Sequence, residues 1–192
     1  MKLTAAEQIA DEIMQLYALY GEEEYSGEKI SQTEHMVQAA QLAQAKGYDD
    51  EVVLAAFLHD VGHISEKQTA DNSMDEFGIM DHEAHGAAFL AERGFSARLT
   101  RLVGSHVSAK RYLTLREPGY FDKLSEASKK TLEFQGGFMS DEEADLMEKD
   151  ILFQEIVQMR RWDEEAKVEH QPMPALTVFR KLIVEHLVSR PE

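Results

Sequence analysis

Apolar residues recur through most of the chain at intervals of three and four, the spacing that collects them on one side of an α-helix. Near the N-terminus, Ile9, Ile13, Leu16 and Tyr20 form such a stripe. No long stretch alternates apolar and polar residues, as a half-buried β-strand would. The pattern predicts an all-α helical bundle. Because no repeat or low-complexity linker interrupts it, we expect residues 1–192 to form a single domain.

Capping residues mark where several of these helices should begin and end. Ser31 and Ser140 each precede a glutamate by three positions, which is the arrangement of a capping box. Ser96 is a candidate N-cap for the stretch ARLTRLVGSHVSAKRYL, which we expect to form one helix. Gly136 and Gly137 should end the helix that contains EASKKTLEF, since glycine readily adopts the left-handed conformation found after a helix.

Composition narrows the possible partners and compartments. The formal net charge is −16 and no basic stripe is present, which argues against a nucleic-acid partner. The chain has no cysteine, so disulfides, cysteine–zinc sites and iron–sulfur clusters are excluded. It shows no signal-peptide pattern and no apolar run of roughly 20 residues, so we expect a soluble, cytoplasmic protein without a membrane partner. Composition leaves the oligomeric state open.

Histidine and aspartate at six positions make up a candidate set of metal ligands: His35, His59, Asp60, His82, His106 and Asp163. The neighbours His59 and Asp60 are the most informative, because they follow the apolar run EVVLAAFL and buried charges need a partner or a metal. The four histidines follow one another at intervals of 23 or 24 residues. That is about the length of one helix and its connection, so each helix would bring one imidazole to a common centre.

The size of this set indicates two metal ions rather than one. Four histidines and two aspartates exceed the needs of one tetrahedral ion, but they suffice for two ions about 3.5–4 Å apart that share a bridging carboxylate. Asp60 is the natural bridge, since its neighbour His59 already points to the cluster. Imidazole and carboxylate without thiolate suit iron, manganese or zinc. For any single histidine, the alternative is a hydrogen bond within the core.

The order His35, His59-Asp60, Asp163 resembles the signature of the HD-domain superfamily, and His82 and His106 resemble the additional ligands of its binuclear members. Further elements are similar to the PhnZ-type organophosphonate oxygenases: YSGE at 25–28, QTEH at 32–35, LHDVGH at 58–63, GSHVSAKRY at 104–112, ASKKTLEFQGG at 127–137 and RWDE at 161–164. The resemblance spans roughly residues 20 to 186, and its first and fourth elements are the specific ones. It implies an HD-type helical bundle around a binuclear centre, with two iron ions in the mixed-valent Fe(II)/Fe(III) state, as in myo-inositol oxygenase.

The resemblance also implies how the ligands divide between the two irons. One iron would be bound by His35, His59, Asp60 and Asp163. The other would be bound by Asp60, His82 and His106, which leaves coordination positions for substrate and O₂. Tyr25 would occupy the second iron at rest and move away together with Glu28 when substrate arrives.

The resemblance further implies that six residues contact the phosphonate group of a substrate: Lys110, His63, Ser128, Thr131, Gln135 and Arg160. A dianionic phosphonate needs cations and hydroxyl donors, which an acidic protein has to provide locally. Lys110 would be the main cationic contact. Because Ser125 opens the helix that contains Ser128, backbone N–H groups at that helix start would also favour an anion.

The activity that the resemblance implies is an O₂-dependent cleavage of the C–P bond in a 1-hydroxy-2-aminoethylphosphonate, giving phosphate and a carboxylate. The substrate is either (R)-1-hydroxy-2-(trimethylammonio)ethylphosphonate, giving glycine betaine, or 2-amino-1-hydroxyethylphosphonate, giving glycine. We slightly favour the trimethylated substrate. A quaternary ammonium is bound by aromatic faces and carboxylate charge, which Tyr25, Glu28, Phe134 and Trp162 offer, and the small Ser26 leaves room for methyl groups.

Two other functions share the same ligands. An HD-type metal-dependent phosphohydrolase would use a metal-bound hydroxide, but it gives no role to Tyr25 or Glu28. A non-catalytic metal or ligand sensor is the third candidate, and the complete set of ligands with an open position weighs against it.

Overall fold

The computed structural model describes residues 1–25, 27–74 and 77–189. Over these ranges the structure is all-α, as predicted, and the described residues form no strand beyond isolated β-bridges. The helices follow in this order: α1 (Leu3–Tyr20), α2 (Gln32–Ala45), α3 (Asp50–Leu58), α4 (Val61–Ser65), α5 (His82–Glu92), α6 (Ala97–Val103), α7 (His106–Arg116), α8 (Tyr120–Lys123), α9 (Glu126–Phe134), α10 (Asp141–Met147), α11 (Phe153–Glu165) and α12 (Thr177–Val188).

Helix α3 lies at the centre of the bundle, packed against α2, α6, α11 and α12. Every residue from Val52 to Leu58 is buried, as expected for a helix that is apolar on all sides. The C-terminal end of α3 therefore carries His59 and Asp60 into the interior. Helix α3 has only nine residues, and none of the described helices is long and apolar enough to cross a membrane.

Capping boxes fix two of the helix starts that the sequence predicts. Glu34 N donates a hydrogen bond to Ser31 Oγ, and Ser31 N donates to the Glu34 carboxylate, so the first box is confirmed. Ser140 and Glu143 form the second box in the same way. Because α2 begins directly after Ser31, the first box places His35 in the first turn of that helix.

The predicted apolar stripe of α1 is confirmed at three of its four positions. Ile13 is buried and Ile9 and Leu16 are partly buried against the core, whereas Tyr20 is 43 % exposed. The fully buried positions of this helix, which packs against α4 and α12, are Ala6, Ala10, Ile13 and Tyr17. The periodicity therefore gave the correct type of element and most of its core-facing side.

The stretch ARLTRLVGSHVSAKRYL forms two helices, α6 and α7, rather than the single helix predicted. The chain turns at Gly104 and Ser105, between the two helices. A Cβ added at Gly104 would lie 3.2 Å from Ala87 Cβ, so glycine lets the end of α6 approach α5 closely. The turn makes His106 the first residue of α7.

Candidate metal centre and adjoining pocket

His59 and Asp60 form the corner between α3 and α4. His59 follows the last residue of α3, and Asp60 precedes Val61, the first residue of α4. Asp60 has φ −103° and ψ 15°, outside the helical values, so the chain changes direction there. The relative exposure of the two residues is 0 % and 2 %. The corner thus places an imidazole and a carboxylate side by side in the core.

One oxygen of the Asp60 carboxylate faces His35 and His59. Asp60 Oδ2 lies 3.4 Å from His35 Nε2 and 3.3 Å from His59 Nε2. Asp163, on α11, joins this group through Oδ1, which is 3.4 Å from His35 Nε2. His35, His59 and Asp163 are close enough together to bind one metal ion.

The other oxygen of Asp60 faces His82 and His106. Asp60 Oδ1 lies 3.4 Å from Nε2 of each histidine, and the two Nε2 atoms are 2.9 Å apart. His82 is the first residue of α5 and His106 the first of α7. The six residues predicted as ligands therefore lie in one cluster, with one Asp60 oxygen directed to each half of it. This is the arrangement that a bridging carboxylate requires.

Each of the four imidazoles is oriented by a backbone carbonyl. His59, His82 and His106 donate Nδ1–H to the carbonyl three residues earlier, at 2.8, 3.2 and 2.8 Å. His35 donates Nδ1–H to the carbonyl of Ala166 at 2.9 Å. A carbonyl can only accept, so a proton stays on Nδ1 and a neutral ring presents a lone pair at Nε2.

The inward nitrogen atoms are separated by distances that suit metal binding. His35 Nε2 lies 3.1 Å from His59 Nε2, close to the separation of the other pair. Two lone pairs that face each other at this distance repel unless a proton or a metal ion lies between them. Two nitrogens bound at right angles to one ion at about 2.1 Å are about 3 Å apart. Asp60 Oδ1 is buried without a hydrogen-bond partner among the described residues, so these donors fit a metal centre.

The carboxylates of the cluster attract positive charge to its centre. Burial opposes ionisation of Asp60, but attraction to His59 and hydrogen bonds from His35, His59 and His82 hold its pKa well below the usual value. Burial also opposes protonation of His59, yet the nearby Asp60 raises the pKa of that imidazole. Burial lowers the pKa of His106 to about 3. A carboxylate that draws a proton onto a neighbouring imidazole will draw a metal cation in the same way.

His63 lies beside the second half of the cluster but is oriented differently. Its ring stacks on His82 with centres 3.9 Å apart, and it comes close enough to Asp60 and His82 to share an ion with them. However, Ile79 N donates a hydrogen bond to His63 Nδ1 at 3.2 Å, so the neutral ring carries its proton on Nε2. A protonated nitrogen is a donor rather than a ligand, which suits the predicted contact with a substrate.

A pocket adjoins the cluster, and all six residues predicted to contact a phosphonate line it. Its remaining polar wall consists of Tyr25, Asp60, His82, His106, Asp163 and Lys167. Its apolar wall consists of Met74, Phe77, Val107 and Ala127. The structure thus brings four of the six predicted metal ligands and all the predicted substrate contacts together around one cavity.

Lys110 is a buried cation in this pocket, with an exposure of 2 %. Its Nζ donates a hydrogen bond to Thr131 Oγ1 at 2.9 Å and to the Ser128 carbonyl at 3.4 Å. Burial and, next, the positive charge of Arg160 lower the pKa of Lys110 to about 7. An anion bound beside this ammonium group would stabilise its charged form.

Arg160 supplies a second buried cation beside Lys110. Its Nη1 donates to Asp163 Oδ2, and its Nε donates to Glu164 Oε1 at 2.8 Å and Tyr120 Oη at 3.2 Å. Arg160 Nη2 is buried and has no hydrogen-bond partner within the described ranges. A buried donor of this kind costs free energy unless a ligand or water accepts from it. Arg160 therefore connects the cluster residue Asp163 to the part of the pocket wall that contains Lys110.

Tyr25 lies against the first half of the cluster. Its ring stacks on His35 with centres 3.7 Å apart, and its hydroxyl donates to Asp163 Oδ1 at 3.1 Å. Glu28 follows in a tight turn, with its N–H bonded to the Tyr25 carbonyl at 2.7 Å. The phenol thus pairs with Asp163 of the first half here, and not with the half formed by His82 and His106 that it was predicted to occupy. The gating role of Tyr25 and Glu28 stays a prediction.

Lys167 lines the pocket, although the sequence did not single it out. Its Nζ donates to Glu28 Oε1 at 2.8 Å and to Ser125 Oγ at 3.4 Å. Its position in the sequence could have indicated this, because Lys167 follows Asp163 by four residues in RWDEEAK, which is one helical turn. Helix α11 ends at Glu165, so Lys167 reaches the pocket from the segment that follows.

Two aromatic residues suggested for a quaternary ammonium lie outside the pocket. Trp162 is fully buried and packs edge-on against Tyr48, with ring centres 4.9 Å apart. Phe134 is 45 % exposed on α9. The aromatic rings of the described pocket wall are instead those of Tyr25 and Phe77, besides the histidines. Ser26, which was expected to leave room for methyl groups, lies outside the described residues.

Comparison with known proteins identifies relatives over most of the chain. The HD domain family model matches residues 33–152, which include every cluster residue except Asp163. A [1-hydroxy-2-(trimethylamino)ethyl]phosphonate dioxygenase (glycine-betaine-forming) of Leisingera caerulea is 39 % identical over 163 residues, covering 85 % of this chain and 82 % of that protein. A hydroxymethylphosphonate dioxygenase of Gimesia maris is 37 % identical over 152 residues, covering 79 % and 75 %. Uncharacterized protein L432 of Acanthamoeba polyphaga mimivirus is 40 % identical over 175 residues, covering 91 % and 80 %.

Proposed function

This chain belongs to the HD-domain family and is a PhnZ-type oxygenase, and from that membership we propose that it uses O₂ to cleave the C–P bond of a hydroxyalkylphosphonate. Two relatives with dioxygenase names that specify hydroxylated phosphonates support this reaction class. The observation that carries the proposal is the position of Asp60 between two groups of imidazoles, beside a pocket with buried cations.

We propose that two iron ions bind at this cluster, with Asp60 as the bridge. His35, His59 and Asp163 would complete one half, and His82 and His106 the other. When bound in the Fe(II)/Fe(III) state, the pair would supply the reduction of O₂ that this chemistry needs. Arg160 would hold Asp163 in place through its Nη1 hydrogen bond, and backbone carbonyls would hold the imidazoles with Nε2 inward.

The other pocket residues would bind and orient the phosphonate. Lys110 and Arg160 Nη2, which has no partner among the described residues, offer positive charge, and His63 Nε2–H offers a neutral hydrogen bond. An anchored phosphonate would present its hydroxyl-bearing carbon to the cluster. The overall reaction balances when R–CH(OH)–PO₃H₂ and O₂ give R–COOH and H₃PO₄. The C–P bond breaks, the carbon is oxidised to a carboxyl group, and O₂ is fully reduced as its two oxygen atoms enter the products.

For the rest of the substrate we propose a trimethylammonium group, with the free amine as the alternative. An aromatic face and a carboxylate are the groups that bind a quaternary ammonium. Tyr25 lines the pocket and Glu28 lies directly beside it in the same turn. The Leisingera caerulea relative is named for a trimethylated substrate, whereas the Gimesia maris relative is named for one without an amine.

The reaction is tested with iron-loaded protein and three substrates: the trimethylated hydroxyphosphonate, its free-amine analogue and hydroxymethylphosphonate. We expect phosphate release under air with one O₂ consumed per phosphate, no release without O₂, and the highest kcat/KM for the trimethylated compound. Rapid anaerobic hydrolysis of phosphoesters with manganese or magnesium would instead support the phosphohydrolase and overturn the proposal.

A further inference from the structure

The ammonium group of Lys167 lies where an aromatic face and a carboxylate meet. Its Nζ is 2.8 Å from Glu28 Oε1 and 5.5 Å from the centre of the Tyr25 ring. Ser125 Oγ, 3.4 Å away, is a further contact of Nζ. The side chain is 17 % exposed, so Lys167 is held on the pocket wall rather than extended into solvent. A carboxylate and an aromatic face are also the two groups that the proposed function assigns to a substrate ammonium.

The charges around the pocket leave Glu28 as the carboxylate that is available to a cationic group of the substrate. The carboxylates that line the described pocket, Asp60 and Asp163, both belong to the cluster. Lys110 and Arg160 add positive charge, which repels a cationic group of the substrate. Glu28 is therefore the carboxylate beside Tyr25 that can balance a second cation, and in this structure it is paired with Lys167.

We propose that Lys167 is a specificity-determining residue that competes with the cationic end of a substrate for Glu28 and the face of Tyr25. This inference rests on the proposed function. A substrate with an ammonium group has to displace the Lys167 ammonium, whereas hydroxymethylphosphonate has no such group and leaves the pair intact. Lys167 therefore sets how strongly the enzyme prefers a phosphonate with a cationic group over a small phosphonate without one.

The direct test replaces Lys167 by Met, which keeps much of the side-chain length and removes the charge. We expect Lys167→Met to lower KM for the trimethylated substrate about two- to fivefold, the range given by partly exposed ion pairs. The KM for hydroxymethylphosphonate should not change, and kcat should change little for either compound. Lys167→Gln serves as a second uncharged variant, and Lys167→Arg should behave like the wild type because it keeps the charge.

Lys129 offers a matched control on α9. Its Nζ lies 2.9 Å from Glu126 Oε1 and 5.8 Å from the centre of the Phe121 ring, a similar pairing away from the pocket. Lys129→Met should leave both KM values unchanged. If Lys167 acts mainly through Glu28, then Lys167→Met should have a smaller effect in a Glu28→Gln background, where the preference for the trimethylated substrate should also be reduced.

Two outcomes would overturn the inference. An increase of KM for both substrates in Lys167→Met would mean that Lys167 binds the phosphonate, and an unchanged ratio of the two KM values would mean that it does not compete. Binding of choline to the metal-loaded protein, measured by calorimetry, gives a second readout that does not depend on turnover. Tighter choline binding by Lys167→Met would support the competition even if no phosphonate were consumed. The lack of phosphonate consumption would contradict only the proposed reaction.

Discussion

At the scale of single residues, the pocket holds two buried cations, and only Arg160 forms an ion pair with a carboxylate among the described residues. Burial and the charge of Arg160 bring the pKa of Lys110 to about 7, so this group gains or loses its proton near neutral pH. A dianion bound beside Lys110 would favour the protonated form. Anion binding and proton uptake at Lys110 are therefore linked.

This linkage predicts weaker anion binding as the pH rises through about 7. Sulfate is a suitable probe because it keeps both charges between about pH 6 and 9. Lys110 loses its proton as the pH rises over that range, so calorimetry should show sulfate affinity falling several-fold. Lys110→Met should lose roughly 10- to 150-fold in affinity at the low-pH end, since a hydrogen bond to a charged group is worth roughly 1.5–3 kcal/mol, and its affinity should no longer vary with pH. Lys110→Arg stays charged and should bind sulfate equally well throughout, whereas a pH dependence retained by Lys110→Met would contradict this assignment.

Residue types and their spacing predict the cluster from the sequence alone, because buried histidine and aspartate have few stable roles besides metal binding. The pairing of Lys167 with Glu28 was beyond such reasoning. The two residues are 139 positions apart, and only the fold brings them together. The suggestion that Trp162 contacts the substrate was wrong. Its neighbour Asp163 reaches the cluster, but the Trp162 ring is buried in the core.

At the scale of helices, local signals were more informative than long-range ones. The capping serines Ser31 and Ser140 were recognisable because a cap is made by residues within one turn. The break between α6 and α7 at Gly104 depends on how closely α5 approaches. The spacing of apolar residues in α6 and α7 gives no information about that approach. The crossing of α4 and α5 is another such contact. A Cβ added at Gly62 would lie 1.9 Å from the carbonyl oxygen of His82.

Gly62→Ala should therefore push α5 away from α4 and displace His82 from Asp60. We expect a loss of about 1–3 kcal/mol or more in the free energy of unfolding, as for other overpacked positions, and a metal content near one ion per chain instead of two. Gly47→Ala is the control, because Gly47 has φ +77° with no atom near its missing Cβ, so alanine there adds strain without a clash. It should lose about 1 kcal/mol and keep both metals. Full metal content in Gly62→Ala would show that α5 tolerates the displacement.

At the scale of the whole molecule, the cluster joins segments from most of the chain. Its residues come from α2, the α3–α4 corner, α5, α7 and α11, so a metal ion bound there ties these elements to one another. In the unfolded chain the same residues are far apart and bind metal weakly. Metal binding should therefore stabilise the fold. The single domain and the cytoplasmic location inferred from the sequence stay predictions.

Iron loading should raise the melting temperature by about 5–10 °C, which corresponds to roughly 3 kcal/mol in a chain of this length. A chelator should reverse the increase. Asp60→Ala should bind neither ion and show no such response, because the shared carboxylate contacts both halves of the cluster. Asp11→Ala, which removes an exposed partner of Arg180, should keep the full response. Asp60→Ala with two bound ions would refute the bridging assignment.

The backbone bonds of the histidines have a consequence for protein design. His59, His82 and His106 each take their orientation from the carbonyl three positions earlier, so the direction of each ring is set within its own turn. Only His35 depends on a distant segment, through Ala166. Grafting the four imidazoles onto an unrelated helical scaffold would then require copying three short tetrapeptide turns and one long-range acceptor, whereas the two aspartates would have to be placed by the scaffold itself.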